Sequence, residues 1–146
     1  MTTRFFLVRH GRAEGSHPAG DAARRLTPQG RDAFAALARA LAPELRLASI
    51  ASSPYARALE TAALLAAATG APVETHPELS AGATQGRALL TLGAALGGGA
   101  ALVGHNPELA AAVALAAGRE VEVPPGSVAA VEANGGTFRL AWLRTP

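Results

Sequence analysis

The chain has 146 residues, 49% hydrophobic and only 16% charged, a balance that excludes a disordered chain and gives one domain over residues 1–146 enough material for a core. It has no cysteine, which excludes disulfides, thiol nucleophiles and cysteine-ligated metals. The net charge is +2, and the isoelectric point near 10.4 follows from all 13 basic residues being arginine; these are dispersed, with Arg24-Arg25 the only adjacent pair, so there is no basic stripe for nucleic acid.

Phe5–Arg9 reads as a short buried strand, because Phe5-Phe6-Leu7-Val8 is a continuous apolar run closed by charge. Four apolar residues are too few for the core of a signal peptide. No later stretch reaches membrane-spanning length without a break, so the chain is expected in the cytoplasm with no membrane partner. Residues 11–26 form a polar, glycine-containing loop. Thr27 is a helix N-cap with Pro28 in the first helical position, and Phe34, Leu37 and Leu41 mark a buried face. Pro43 is expected to end this helix.

Leu47–Ser52 is predicted as the second strand, and Ser53-Pro54 as the cap of a second helix reaching about Ala68, stopped by Gly70. A short strand falls at Val73–Thr75. Gln85–Leu96 reads as a helix closed by Gly97-Gly98-Gly99, and Ala100–Gly104 as a strand. Asn106-Pro107 then caps a helix to about Ala117. Ser127–Glu132 and Thr137–Leu143 flank Ala133-Asn134-Gly135-Gly136, where Asn-Gly signals a hairpin. Strands joined by helices predict an α/β three-layer sandwich: a mostly parallel central sheet, helices on both faces and a C-terminal antiparallel hairpin. No linker or long internal repeat interrupts it.

Three segments place polar residues just past strand ends: Arg9-His10-Gly11, Ser52-Ser53-Pro54-Tyr55-Ala56-Arg57 and Val103-Gly104-His105-Asn106-Pro107. Parallel strands point their carboxyl ends one way, where open sheets bind ligands, so the three segments converge. Two helix N-termini would join them, and their free N–H groups and dipoles favour an anion. Arg57 in a first helical turn opposes the helix dipole unless an anion is near, which supports a ligand role. Histidine is a nucleophile near neutral pH, and arginine binds phosphoryl oxygens bidentately. Asn106 and Ser53 read as caps, and Thr27 and Gly30 as helix architecture. Arg12 and Glu14 pair with each other or with solvent, and His17 and His76 lie at the surface. The four histidines, His10, His17, His76 and His105, have no metal-ligand spacing, so neither a metal nor another cofactor is expected.

The set LVRHG, LTPQG, SSPYARALETA and LVGHNPEL, in this order, resembles the histidine phosphatase superfamily with its phosphoglycerate-mutase-like fold. The short length is similar to its compact branch, the SixA-like phosphohistidine phosphatases. The resemblance implies that His10 is the nucleophile that becomes phosphorylated. It also implies that Arg9 and Arg57 clamp the phosphoryl oxygens and that His105 donates a hydrogen bond to them. Arg24, leading into LTPQG, falls where relatives often place a residue near the pocket, so a phosphate or substrate contact is weighed for it.

The chain departs from the larger family at Pro77-Glu78-Leu79-Ser80-Ala81-Gly82, where many members carry an acid that protonates the leaving oxygen. The expected position holds Ala81, with Glu78 the alternative donor. The 11–26 loop is short and carries no inserted cap, so a shallow, open pocket is expected, unsuited to mutase work. The resulting reading is a metal-independent phosphatase working through phosphohistidine, acting on phosphohistidine in proteins. Two alternatives stand beside it: a phosphomonoesterase for small sugar or nucleotide phosphates, and a phospho-ligand binding module without catalysis.

Overall fold

The computed structural model describes residues 1–146. Strand β1 spans Thr3–Arg9, two residues longer at its start than the apolar run predicts. It is followed by α1 (Pro28–Leu45), β2 (Ser49–Ser52), α2 (Ala56–Thr69), β3 (Val73–Thr75), α3 (Gly86–Leu96), β4 (Ala100–Gly104), α4 (Glu108–Ala117), β5 (Val128–Asn134) and β6 (Thr137–Arg144). Single 3-10 turns lie at Asp21–Ala23 and Pro77–Leu79.

One six-stranded sheet runs in the order β3-β2-β4-β1-β5-β6. The first four of these are parallel, and β5 and β6 extend the sheet beyond β1 as an antiparallel pair. Phe6 and Val8 face one apolar layer with Phe34 and Leu41 of α1 and Ala58 and Leu65 of α2. Phe5 and Leu7 face the other, with Leu89 and Leu90 of α3 and Leu109 and Val113 of α4. This is the three-layer α/β arrangement expected from the alternation, and it explains why β1 is apolar at every central position: it is covered on both faces. Each fully buried Phe or Leu contributes about 1.5–3 kcal/mol. No helix is long and apolar enough to cross a membrane.

Thr27 Oγ1 accepts the N–H of Gly30 at 2.9 Å, so the Thr-Pro cap of α1 forms as expected. Pro43 does not end α1. The helix continues to Leu45, because Leu45 extends the buried stripe of Phe34, Ala38 and Leu41, and burying it offsets the hydrogen bond that Pro43 cannot donate. The hairpin turn is Gly135-Gly136, both at positive φ, while Asn134 still belongs to β5. In α1, Gly30 lies against the Arg12 backbone, where any Cβ would collide with the Arg12 carbonyl. Its absence lets the first turn of α1 pack directly on the segment that follows β1.

Candidate active site

The register of β1 on β4 pairs Arg9 with Gly104, so the next residue of each strand, His10 and His105, emerge side by side at the carboxyl edge. Their ring centroids are 5.2 Å apart. On the far side of β4, Ser52 of β2 pairs with Val103, and the Ser53 N–H still donates to the Val103 carbonyl at 3.0 Å. The polypeptide then turns into α2, whose second residue is Arg57. Three strand ends therefore meet at one point, with α2 and α4 both beginning there.

His10 Nδ1 lies 2.7 Å from the Gly11 carbonyl, an acceptor only, so Nδ1 carries the proton. Nε2 is left as a lone pair, and the Arg57 Nε–H donates toward it at 3.4 Å. Burial lowers the His10 pKa to about 4, with the charges of Arg57, Arg9 and Arg24 pushing the same way and the Gly11 bond opposing them. His10 is thus a neutral imidazole at neutral pH with its lone-pair nitrogen facing a guanidinium. Gly11 is itself fixed, donating its N–H to Thr61 Oγ1 at 3.0 Å.

His105 is buried, and burial together with the charges of His10 and Arg57 lowers its pKa to about 3. Its Nε2 sits 2.8 Å from Ser53 Oγ, and its Nδ1 is buried with no hydrogen-bond partner. Ser53 therefore does not cap α2. The helix begins at Ala56 after Tyr55, which makes no side-chain cap, and the Ser53 hydroxyl meets His105 and the Tyr55 N–H. Asn106 does serve the start of α4, accepting the Ala110 N–H at 3.1 Å.

Arg9 donates Nη1 to the Val123 carbonyl at 2.9 Å, while its Nε is buried and unpartnered. Arg57 is 5% exposed, and it donates Nη1 to the Asp21 carbonyl at 2.7 Å and Nη2 to Asp21 Oδ2 at 3.2 Å. Arg24 donates Nη1 to Asp21 Oδ1 at 2.9 Å and Nε to the Glu14 carbonyl at 2.5 Å. Its charge reaches His10, but in this structure its partners are Asp21 and Glu14. Arg9, His10, Arg57 and His105 thus come together, with Arg24 at the rim. Two buried polar nitrogens without partners, on Arg9 and His105, and three guanidiniums near one neutral imidazole form a donor set suited to an anion.

Some residues of this cluster carry no clear sequence signal. Asp21 and Tyr55 are the main ones: the Tyr55 ring packs edge-on against His105 at 5.0 Å, and Arg57 lies over it at 5.1 Å. The 11–26 loop covers more than its length suggests, because its 3-10 turn folds Asp21 onto Arg57, and His10 is left only 9% exposed. Glu14 does not pair with Arg12; its carboxylate accepts the Arg25 N–H at 2.8 Å. Glu78 pairs with His76 Nδ1 at 3.2 Å and lies outside the hydrogen bonds of the cluster. No group of three or more His, Asp or Glu side chains is placed to hold a metal ion.

A family model described as histidine phosphatase superfamily (branch 1) matches residues 5–95. No curated protein sequence matches significantly. Among solved structures, the fold is similar to that of the protein histidine phosphatase SixA complexed with tungstate, with a TM-score of 0.87 and 24% identity, over 99% of this chain and 97% of that one. It is also similar to a candidate phosphohistidine phosphatase SixA from Agrobacterium tumefaciens, with a TM-score of 0.86 and 26% identity, over 99% and 98% of the two chains. A mycobacterial glucosyl-3-phosphoglycerate phosphatase aligns with a TM-score of 0.70 and 20% identity, over 97% and 98%.

Proposed function

The chain belongs to the histidine phosphatase superfamily, and from that premise we propose that it is a metal-independent phosphatase that forms phosphohistidine on His10 and acts on phosphohistidine in proteins. The observation that carries the phosphatase reading is the state of His10. It is neutral, its tautomer is set by Gly11, and its free Nε2 faces the Nε–H of Arg57 at 3.4 Å. A phosphoryl group entering between them meets a nucleophile and a cation at once.

In the first step Nε2 of His10 forms a bond to phosphorus in line with the departing group, whose bond to phosphorus breaks with its electron pair. Arg9 and Arg57 take the charge on the equatorial oxygens, which is where most catalysis of phosphoryl transfer arises. His105 contributes a hydrogen bond to the same oxygens from its unpartnered Nδ1. In the second step water attacks phosphorus, the phosphorus–Nε2 bond breaks, and orthophosphate leaves with His10 neutral again. The charge neutralisation a metal would supply is assigned here to guanidinium groups.

The choice of phosphohistidine rests on the leaving group. Ala81 has no proton to give, Glu78 is paired with His76, and Asp21 is bonded to two arginines. No carboxyl group is hydrogen-bonded to His10 or His105, and such a site suits a leaving imidazole better than an alkoxide. A small-molecule phosphomonoesterase is the second reading, favoured by the fold shared with the mycobacterial glucosyl-3-phosphoglycerate phosphatase. A panel of phosphohistidine peptides, sugar phosphates and nucleotides separates them, with phosphohistidine peptides expected to give the highest kcat/KM. Preference for one sugar phosphate would establish the second reading. Absence of even a single turnover on an activated aryl phosphate would leave only a binding module.

A further inference from the structure

We propose that Asp21 is the positioning residue of the phosphate clamp, holding Arg57 so that the guanidinium edge facing His10 stays open for a phosphoryl group. The proposal rests on the reading of Arg57 as a ligand of the transferring group.

A guanidinium carries five N–H donors in one plane. Asp21 engages Arg57 twice, its backbone carbonyl at Nη1 and its carboxylate at Nη2, which is the far end of the group. The Nε–H, turned toward His10 Nε2, and the remaining Nη2 hydrogen share the opposite edge. That edge is the one that matches two phosphoryl oxygens bidentately. Arg57 also lies over the Tyr55 ring, which fixes the plane while Asp21 fixes the rotation within it.

Asp21 is held in turn. Its other carboxylate oxygen accepts from Arg24, and Arg24 is anchored on the Glu14 carbonyl. Hydrogen bonds from Arg24 and Arg57 lower the Asp21 pKa, so the carboxylate is ionised at neutral pH. The Asp21 side chain is 59% exposed and the turn that carries it buries nothing, so these contacts do little for stability. What they do is orient: without the carboxylate on Nη2, Arg57 keeps only the backbone bond at Nη1 and can turn about it. A carboxylate competing with phosphate would instead sit on the edge that faces His10, and Asp21 does not.

The test uses the full chain with p-nitrophenyl phosphate as substrate and orthophosphate as competitive inhibitor. Asp21→Ala is expected to lower kcat/KM at least about tenfold and to weaken orthophosphate inhibition by a similar factor, with an unchanged melting temperature. Asp21→Asn, which keeps an oxygen for Nη2, is expected to recover part of both. In an Arg57→Ala background, Asp21→Ala should add no further loss, since its target is gone. Tighter orthophosphate binding in Asp21→Ala would overturn the proposal by making the carboxylate a competitor. An equal loss in the presence and absence of Arg57 would overturn it by placing its action elsewhere. If Arg57→Ala alone keeps the wild-type inhibition constant, the clamp reading itself falls and takes this proposal with it.

Discussion

Ser53 Oγ lies 2.8 Å from His105 Nε2 and also accepts the Tyr55 N–H at 3.2 Å. With the hydroxyl hydrogen donated to Nε2, the imidazole hydrogen lies on Nδ1, the buried nitrogen without a protein partner. In that arrangement a residue that looks like a helix cap holds His105 in the tautomer the proposed mechanism uses, with Nδ1 as the donor to a phosphoryl oxygen.

Ser53→Ala is expected to lower kcat/KM by roughly 3- to 10-fold, the value of one hydrogen bond lost from an oriented group. Ser53→Thr should retain most of the activity by keeping the hydroxyl. Steady-state kinetics on an aryl phosphate checks this, and wild-type rates in the alanine variant would show that His105 needs no such orientation.

His10→Ala is expected to abolish turnover and to remove rapid acid-labile labelling of the enzyme by labelled substrate. Rapid-quench labelling followed by peptide mapping locates the phosphoryl group. Label on His105, together with an active His10→Ala variant, would reverse the assignment of the nucleophile.

Alkoxides are poor leaving groups without a donated proton, whereas imidazole and nitrophenolate need little help. General acid catalysis contributes about 10²–10⁴-fold. Because Ala81 stands where the family resemblance implies an acid, phosphohistidine peptides and aryl phosphates are expected to react at least about 10²-fold faster than glycerol or sugar phosphates, compared as kcat/KM. Equal values would reveal a hidden donor, and Glu78→Gln would be the first variant to make.

The depressed histidine pKa values carry a stability consequence. In the unfolded chain both imidazoles take up protons below their ordinary value of 6.5, while in the folded protein His10 stays neutral to about 4 and His105 to about 3. The unfolded state thus binds more protons in this window, and stability falls as pH drops from 6.5 toward 4. The loss is about 3 kcal/mol for His10 alone, at about 1.4 kcal/mol per pKa unit. Thermal unfolding followed from pH 7.5 to 4.5 should show a falling melting temperature, with a shallower fall in His10→Ala. NMR of the imidazole carbons should find both histidines neutral at pH 5.5, and a protonated His10 at that pH would contradict the structure.

Where strands end and helices begin is written locally. The run Phe5–Val8, the Thr27-Pro28 cap and Gly70 act through contacts within a few residues, so the elements and their order were legible. Arg9, His10, Arg57 and His105 were legible for a related reason: each closes or follows a strand or opens a helix, and a parallel sheet sends such positions to one edge. Misreadings arose where a distant partner outcompeted a local one. Ser53 had a helix start beside it but found His105, 52 residues away, across the neighbouring strand. Pro43 carried a local stop signal, but Leu45 had a core to fill.

The sequence by itself thus determined the elements, their layering and the residue types that gather at the sheet edge, because periodicity, caps and turns are short-range physics. Only the tertiary structure decided which of those residues touch. The register of β1 on β4 set His10 beside His105, and the fold of the 11–26 loop laid Asp21 on Arg57. Register and loop closure depend on the whole sheet being assembled, and no window of neighbouring residues contains that information.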